Sequence, residues 1–425
     1  MRSNRHASLA RISLSASLFF CAAAPLAGAA ELQPQGPVLV VPGTLPLTGP
    51  EASSGIAFKE GYELAVFEVN ARGGLAVGGQ RLPVALDLVD DRGDKAGAAH
   101  AAERLIDKHH AAFLLGTFGN TSVAAQASVA ELHHVNYVAA SGSSAKIFRR
   151  GFRFLFGLQA PVDTMAQTEL DWVVERQGAG ELPRPARLSV AANTSPAGAE
   201  FQQAVLAYAQ RGPQAFQIVA SGRFDPGWTR TGDLLSKIPM AGADVMLADA
   251  PWGSFLALHR TALKQGTCRA AVADGAASDD RGRWTLGSES GTSLLKAVWW
   301  NEKLAGNPES SAFVQAFRAR YHHAPDWEQA LAHEAARALF TAIEQAGTVE
   351  AEAVRAKLAA LHMRSLVPGG EMSFPAASGQ QAHYPFLLLQ DMPDGAVTIL
   401  FPAFAATAAL EPGPAGRCRQ LAAAR

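Results

Sequence analysis

The chain has 425 residues, 48% of them hydrophobic and 18% charged, enough for two domains with separate cores. Its 37 Lys and Arg against 38 Asp and Glu leave a formal net charge of −1. That balance speaks against a nucleic-acid groove or a surface built for anionic membranes.

Residues 1–30 read as an export signal. Arg2, Arg5 and Arg11 form a positive n-region, Ile12–Ala24 is mostly apolar, and Ala27-Gly28-Ala29 is an A-x-A cleavage site. The mature chain is expected to start near Ala30 or Glu31. The apolar run is too short to anchor the chain, and no later segment approaches the ~20 uninterrupted apolar residues of a spanning helix. Phe19-Phe20 are too bulky before Cys21 for a lipoprotein signal. The expected address is the periplasm. Cys268 and Cys418 then remain, and in an oxidising compartment they either pair or stay as two free thiols. Their spacing does not choose.

After the linker Pro34–Pro37, Val38–Val41 reads as a buried strand that ends in the loop Thr44–Pro50. A helix from about Ser54 puts Phe58, Tyr62, Ala65, Val66 and Val69 on one face and ends at Gly73-Gly74. Leu82–Val89 alternates as a strand does, and Asp94 caps a helix carrying Ala98, Ala102, Leu105 and Ile106. Next comes Phe113–Ser144: an apolar run to Leu115, cap residues Asn120, Thr121 and Ser122, a helix over Val123–Leu132, a second apolar run Val135–Ala139, and the polar loop Ser141–Ser144. The βαβαβαβ order predicts a doubly wound α/β domain. Both loops of the last stretch would lie at the carboxyl ends of neighbouring strands, where open α/β sheets bind ligands. A helix N-terminus there suits a carboxylate.

Phe152–Leu158 reads as a strand leaving this domain, and Thr164–Arg176 as the first helix of a new one. After the break Gly178–Pro185 the pattern restarts. Strands are expected at Arg187–Ala191, Phe216–Ala220 and Asp244–Leu247, and helices at Gly198–Gln210, Trp228–Ile238 and Ser254–Gln265. Arg269–Arg283 reads as a loop and Leu294–Trp300 as a strand. Helices follow at Ser310–His322, Trp327–Gly347 and Val349–Leu361, then a turn at Pro368-Gly369-Gly370. Tyr384–Gln390 and Val397–Phe401 flank Asp394-Gly395 as a hairpin, and the tail from Ala403 reads as irregular.

Catalytic signatures are weak. Ser143-Ser144-Ala145-Lys146 fits S-x-x-K, but no K-T-G follows. There is no G-x-S-x-G elbow, no Walker loop and no G-x-G-x-x-G, and His333-Glu334 lacks the second His of H-E-x-x-H. The pairs His109-His110, His133-His134 and His322-His323 fall at helix ends, where neighbours in sequence make poor chelates and the helix dipole explains a histidine. No metal or cofactor is expected.

Four stretches carry a family resemblance. They are Pro46–Pro50 with Gly55 and Glu68–Gly74; Gly116 to Ser143; Pro161-Val162-Asp163; and Asp326 with Ala335, Ala338 and Ala346-Gly347. Their order and spacing resemble the periplasmic solute-binding proteins of the leucine/isoleucine/valine-binding type, which serve ABC importers. The likeness runs from about Val38 to Pro402. It implies two doubly wound α/β lobes joined by three hinge crossings, the type I periplasmic binding protein fold. Lobe 1 would be 36–158 plus 298–363, and lobe 2 159–297 plus 364–402, with 403–425 an irregular tail.

The resemblance also implies a site. Family members hold an amino acid's carboxylate with hydroxyl and backbone N–H groups, and its ammonium with an acidic group. On this chain the first-loop serine position falls on Asn120, with Phe118 and Thr121 in the same loop. The second loop gives Ser141 and Ser143. Asp163 matches the acidic crossover residue, Trp252 the aromatic wall and Asp274 a second acidic position. Ser54 stands where an aromatic residue is common, and Ala197-Gly198 replaces a Tyr-Gly pair. Losing that bulk would enlarge the expected pocket or change its polarity, which favours a larger amino acid or carboxylate, an aromatic one included, over leucine, isoleucine or valine. The resemblance implies a non-enzymatic, monomeric periplasmic receptor that hands a small solute to an inner-membrane ABC permease. Two readings stay beside it: a sensory receptor of the same fold feeding a kinase or chemoreceptor, and an exported hydrolase using Ser143 and Lys146.

Overall fold

The computed structural model describes residues 37–225, 242–250, 254, 255, 258, 270–273, 294–304, 306–391 and 396–409. The expected signal, all three cysteines, Trp252, Asp274 and the 228–238 helix lie outside them. Among the described residues no helix is long and apolar enough to cross a membrane.

The first half builds one sheet. β1 (Leu39–Leu45) leads into α1 (Ala52–Ala71), a small hairpin β2 (Leu75–Val77) and β3 (Gln80–Leu82), and then β4 (Val84–Asp90). α2 (Lys95–His109), β5 (Phe113–Leu115), α3 (Asn120–His133), β6 (Asn136–Ala139), α4 (Ala145–Phe148) and β7 (Leu155–Gly157) follow. The strand order is β4-β1-β5-β6-β7, all parallel. The order reverses between β1 and β5, so the crevice at their carboxyl ends is the natural place for a ligand.

The second half repeats the plan. α5 (Val162–Gly178) precedes β8 (Ala186–Asn193), α6 (Pro196–Arg211) and β9 (Phe216–Phe224), and then β10 (Val245–Asp249), β11 (Ala270–Ala273) and β12 (Leu294–Val298). α7 (Pro308–Tyr321), α8 (Trp327–Ala346) and α9 (Ala351–Ala359) come next. After them come the hairpin β13 (His362–Arg364) and β14 (Glu371–Ser373), and a final hairpin β15 (Leu387–Asp391) and β16 (Val397–Phe401). The second sheet runs β16-β15-β12-β11-β10-β8-β9. Its five parallel strands again reverse order, here between β8 and β10, and the last hairpin adds an antiparallel edge.

The chain passes between the sheets three times: after β7, after β12 and before β15. α8 returns to the first sheet and packs along α1, where Tyr321 OH also donates to Glu60 O at 3.0 Å. The third passage comes later than the turn at Pro368. Asn307 Nδ2 donates to Ser365 O and Val367 O, tying that turn to α7, whereas Gly157 N donates to Gln380 O and Ala382 N to Gly157 O.

Several local expectations change. Ala270–Ala273, expected as loop, is a strand inside the second sheet, because pairing on both sides overrides the weak strand preference of alanine. The strand expected over Phe152–Leu158 shortens to Leu155–Gly157. Asp94 does cap α2, with Gly97 N donating to its Oδ1 at 2.8 Å. Asn120, Thr121 and Ser122 do not cap α3. The cap is Gly119, at φ +90°, which leaves the Asn120 side chain for other partners. α5 starts at Val162 after Pro161, two residues before the expected Thr164, so Asp163 lies inside its first turn. Each His-His pair ends a helix, and His110, His134 and His322 take the left-handed conformation there.

Candidate functional site

The two loops leaving β5 and β6 are locked together by side chains. Gly119 N donates to Ser141 Oγ at 3.1 Å. Asn120 bridges both ways: its Nδ2 donates to Ser143 Oγ at 3.3 Å and its Oδ1 accepts the N–H of Ser144 at 2.9 Å. Asn120, Ser141 and Ser143 are therefore gathered at the carboxyl ends of neighbouring strands, beside the N-terminus of α3. Ser141 is buried, while Phe118, Asn120 and Ser143 are half-buried at the rim. Uncharged donors next to a helix N-terminus can receive an anion without introducing a second full charge.

The passages between the sheets support this floor. Gln381 Nε2 donates to Gly142 O at 3.0 Å and to Gln159 O at 2.9 Å, and Val162 N donates to Ser143 O at 3.0 Å. Tyr384 OH donates to Leu158 O at 3.1 Å. In the second sheet, Asn193 at the end of β8 reaches across the strand-order reversal, its Nδ2 donating to Asp249 O at 3.3 Å. Sequence reasoning did not single out Gln159, Asn193 or Gln381. They carry no local motif, and their partners are distant along the chain.

An aromatic cluster flanks the first loop. Phe118 packs against Phe58 of α1 and Trp327 of α8, with ring centroids 5.6 and 6.3 Å apart. Trp327 in turn lies 4.7 Å from Trp299, which is 5.0 Å from Phe386. Trp299 Nε1 donates to Ala160 O at 2.9 Å. Trp299 and Phe386 adjoin the passages after β12 and before β15, so the cluster joins the first-loop rim to the hinge region.

The remaining expected site residues are dispersed. Ser54 sits half-buried in the first turn of α1 and Thr121 is exposed on α3. No hydrogen bond among the described residues joins either to the Asn120 set. Asp163 faces another wall, its Oδ2 accepting from Arg149 Nη2 at 3.1 Å. With Lys146, Glu200, Tyr208 and His383 it lines a cavity of about 380 Å³ between α4, α5 and α6. Thr164 Oγ1 and His383 Nε2 are 3.1 Å apart there, and Tyr208 OH donates to Asp171.

No hydrogen bond joins Ser143 to Lys146 of the S-x-x-K motif among the described residues. Ser143 Oγ receives an amide N–H from Asn120, which cannot take its proton, and Lys146 Nζ lies 4.0 Å from Glu200 Oε1. No cluster of three or more metal-ligating side chains occurs among the described residues.

Two strongly shifted carboxyls lie on α8. Burial, then the nearby Asp326, pushes Glu328 up to about 8. At Glu334 burial acts to raise the carboxyl, but Arg337, His333 and Ser365 overcome it and hold the group at about 2. Arg337 Nη1 is 2.5 Å from Glu334 Oε1, and His333 Nε2 pairs with Glu68 at 2.9 Å.

A family model described as periplasmic binding protein matches residues 39–393. A curated relative, the Leu/Ile/Val-binding protein homolog 8 of Brucella abortus, is 23% identical over 356 residues, 79% of this chain and 81% of the relative. Among solved structures, the branched-chain amino acid transporter substrate-binding protein of Streptococcus pneumoniae in complex with isoleucine aligns at TM-score 0.69. It has 18% identity and covers 86% of this chain and all of that one. An ABC transporter solute-binding protein from R. palustris in complex with benzoate aligns at TM-score 0.67, with 20% identity, over 89% of this chain and 99% of that one. At these identities the structural likeness is one of fold.

Proposed function

Because the chain belongs to the periplasmic binding protein family, we propose that it is the solute-binding component of an ABC importer, taking an amino acid or related small carboxylate between its two sheets. The observation that carries this reading is the junction of Asn120, Ser141 and Ser143. It offers hydroxyl and amide groups, beside the α3 N-terminus, at the strand-order reversal where such sheets receive ligands. Isoleucine in one relative and benzoate in another share a carboxylate and differ in everything else, which matches a site whose fixed part is a carboxylate cradle.

The half-buried edge of Phe118, backed by Phe58 and Trp327, is the surface this reading gives to the solute's apolar body. Asp163 Oδ2 is taken by Arg149, so the reading rests on the carboxylate rather than on an ammonium. The lobes in this reading are 36–158 with 298–363 and 159–297 with 364–402, the last bound moving toward the passage before β15. They would close on the solute by bending at the three passages, and the permease would read the closed population. No bond is broken. Export by the leader at 1–30 would deliver the protein to the periplasm as a monomer.

Purified protein should release a small carboxylate on denaturation, identified by mass spectrometry. The emptied protein, tested with leucine, isoleucine, benzoate and a wider carboxylate panel, should gain several degrees in Tm at saturating solute. Release of no small molecule, together with an unchanged Tm across the panel, would overturn the reading.

A further inference from the structure

The loop that carries Ser143 is also held from the opposite sheet. Ser144 Oγ donates to Glu200 Oε1 at 2.6 Å. Ser144 follows β6 of the first sheet, whereas Glu200 lies on α6, between β8 and β9 of the second. Both residues are buried, at 2% and 8% exposure. The backbone N–H of the same serine is the group that Asn120 Oδ1 accepts. One residue therefore joins the Asn120 junction through its main chain and the second sheet through its side chain.

We propose that Glu200 is a positioning residue for the solute site, holding the 141–144 loop in its receiving shape from the second sheet through Ser144. This rests on the carboxylate-cradle reading above. A carboxylate is a strong acceptor for a buried hydroxyl, so the bond fixes the Ser144 rotamer and with it the turn that presents Ser141 and Ser143. Glu200 also lines the 380 Å³ cavity, where Lys146 Nζ stands 4.0 Å away. Water can reach the carboxylate from that side, so parting from Ser144 does not leave a charge stranded in a dry core. The contrast is Glu334, enclosed by Arg337, His333 and Ser365. Glu200 is placed to hold the loop reversibly, as a site that must admit and release solute requires.

Hydrogen–deuterium exchange of residues 141–148 in the solute-free protein tests this directly. Ser144→Ala and Glu200→Ala should each speed exchange in that segment about tenfold, as expected for losing a charge-assisted hydrogen bond. The double variant should be no faster than Glu200→Ala, because both changes remove one interaction. Glu200→Gln, which keeps an acceptor oxygen at the same reach, should recover most of the protection. Unchanged exchange in the single variants, additive effects in the double, or a Glu200→Gln variant as fast as Glu200→Ala would overturn it. No solute enters these measurements, so they decide the role of Glu200 even if the carboxylate panel fails to bind.

Discussion

Asn120 and Ser144 are 24 residues apart, yet the Asn120 side-chain oxygen accepts the Ser144 N–H at 2.9 Å while its nitrogen donates to Ser143. A single amide thereby fixes the spacing of both loops, because it carries a donor and an acceptor on separate atoms at the same reach. Asn120→Asp keeps the acceptor, loses the donor and adds a negative charge where the carboxylate is expected. Its melting temperature should stay within a few degrees of wild type. Affinity for the released carboxylate should fall by about 10- to 100-fold, or roughly 1–3 kcal/mol, by isothermal titration calorimetry. Equal affinity in the two proteins would remove Asn120 from the site.

The same residue shows what the sequence can and cannot convey. Periodicity and the loop compositions of 116–122 and 141–144 locate both loops at strand ends, and the hairpin of β15 and β16 is legible from its flanking runs. Asn120 looks like a helix cap because cap preference is local, whereas its actual partners lie in another loop. Ala270–Ala273 has no side-chain pattern to mark it as a strand, and its neighbours in the sheet decide it. The small hairpin of β2 and β3 is unexpected: it turns on Gly78-Gly79, both at positive φ, and its strands are too short for periodicity to register. Glu200 and Gln381 sit among ordinary polar residues, and only the folded chain brings them to the 141–144 loop.

Glu334 should make stability acid-sensitive. Its folded pKa of about 2 lies below the ordinary 4.5, so the folded state binds fewer protons than the unfolded chain between these values. Its contribution, about 3 kcal/mol in order of magnitude, is present above pH 4.5 and lost as pH falls toward 2. Glu334→Gln leaves Arg337 and His333 without their shared carboxylate and should cost about 3–5 kcal/mol at pH 7. In urea unfolding the gap from wild type should narrow markedly at pH 3. A gap of the same size at both pH values would mean that folding does not lower the pKa of Glu334.

Glu328 carries the opposite sign. A folded pKa of about 8 exceeds the unfolded 4.5, so this group's favourable contribution is complete below pH 4.5 and declines as pH rises toward 8. Glu328→Gln removes the ionisable group from the first turn of α8. The variant should match wild type at pH 4 and exceed it at pH 8, by about 1 kcal/mol after allowing for partial exposure. Parallel thermal melts at the two pH values would measure this. A variant less stable at pH 8 would show that the carboxylate is charged and stabilising there.

Two glycines separate helix propensity from packing. Gly61 lies where α1 crosses α8, and a Cβ there would sit 2.3 Å from Gln329 O and 2.8 Å from Ala332 Cβ. Gly178 closes α5, and a Cβ there would meet nothing within 4 Å. Alanine gains about 1 kcal/mol over glycine inside a helix. At Gly178 that gain is unopposed, so Gly178→Ala should be neutral or raise stability by up to about that amount. At Gly61 the clash is with a backbone carbonyl that cannot rotate away, and overpacking of this kind costs about 1–3 kcal/mol. Gly61→Ala should therefore destabilise in urea unfolding despite its better helix propensity. Because α1 carries Phe58 against Phe118, it should also shift the tryptophan emission of the Trp299–Trp327 pair. A Gly61→Ala protein as stable as Gly178→Ala would mean that the α1–α8 crossing is looser than 2.3 Å implies, and that the first-loop rim does not rest on it.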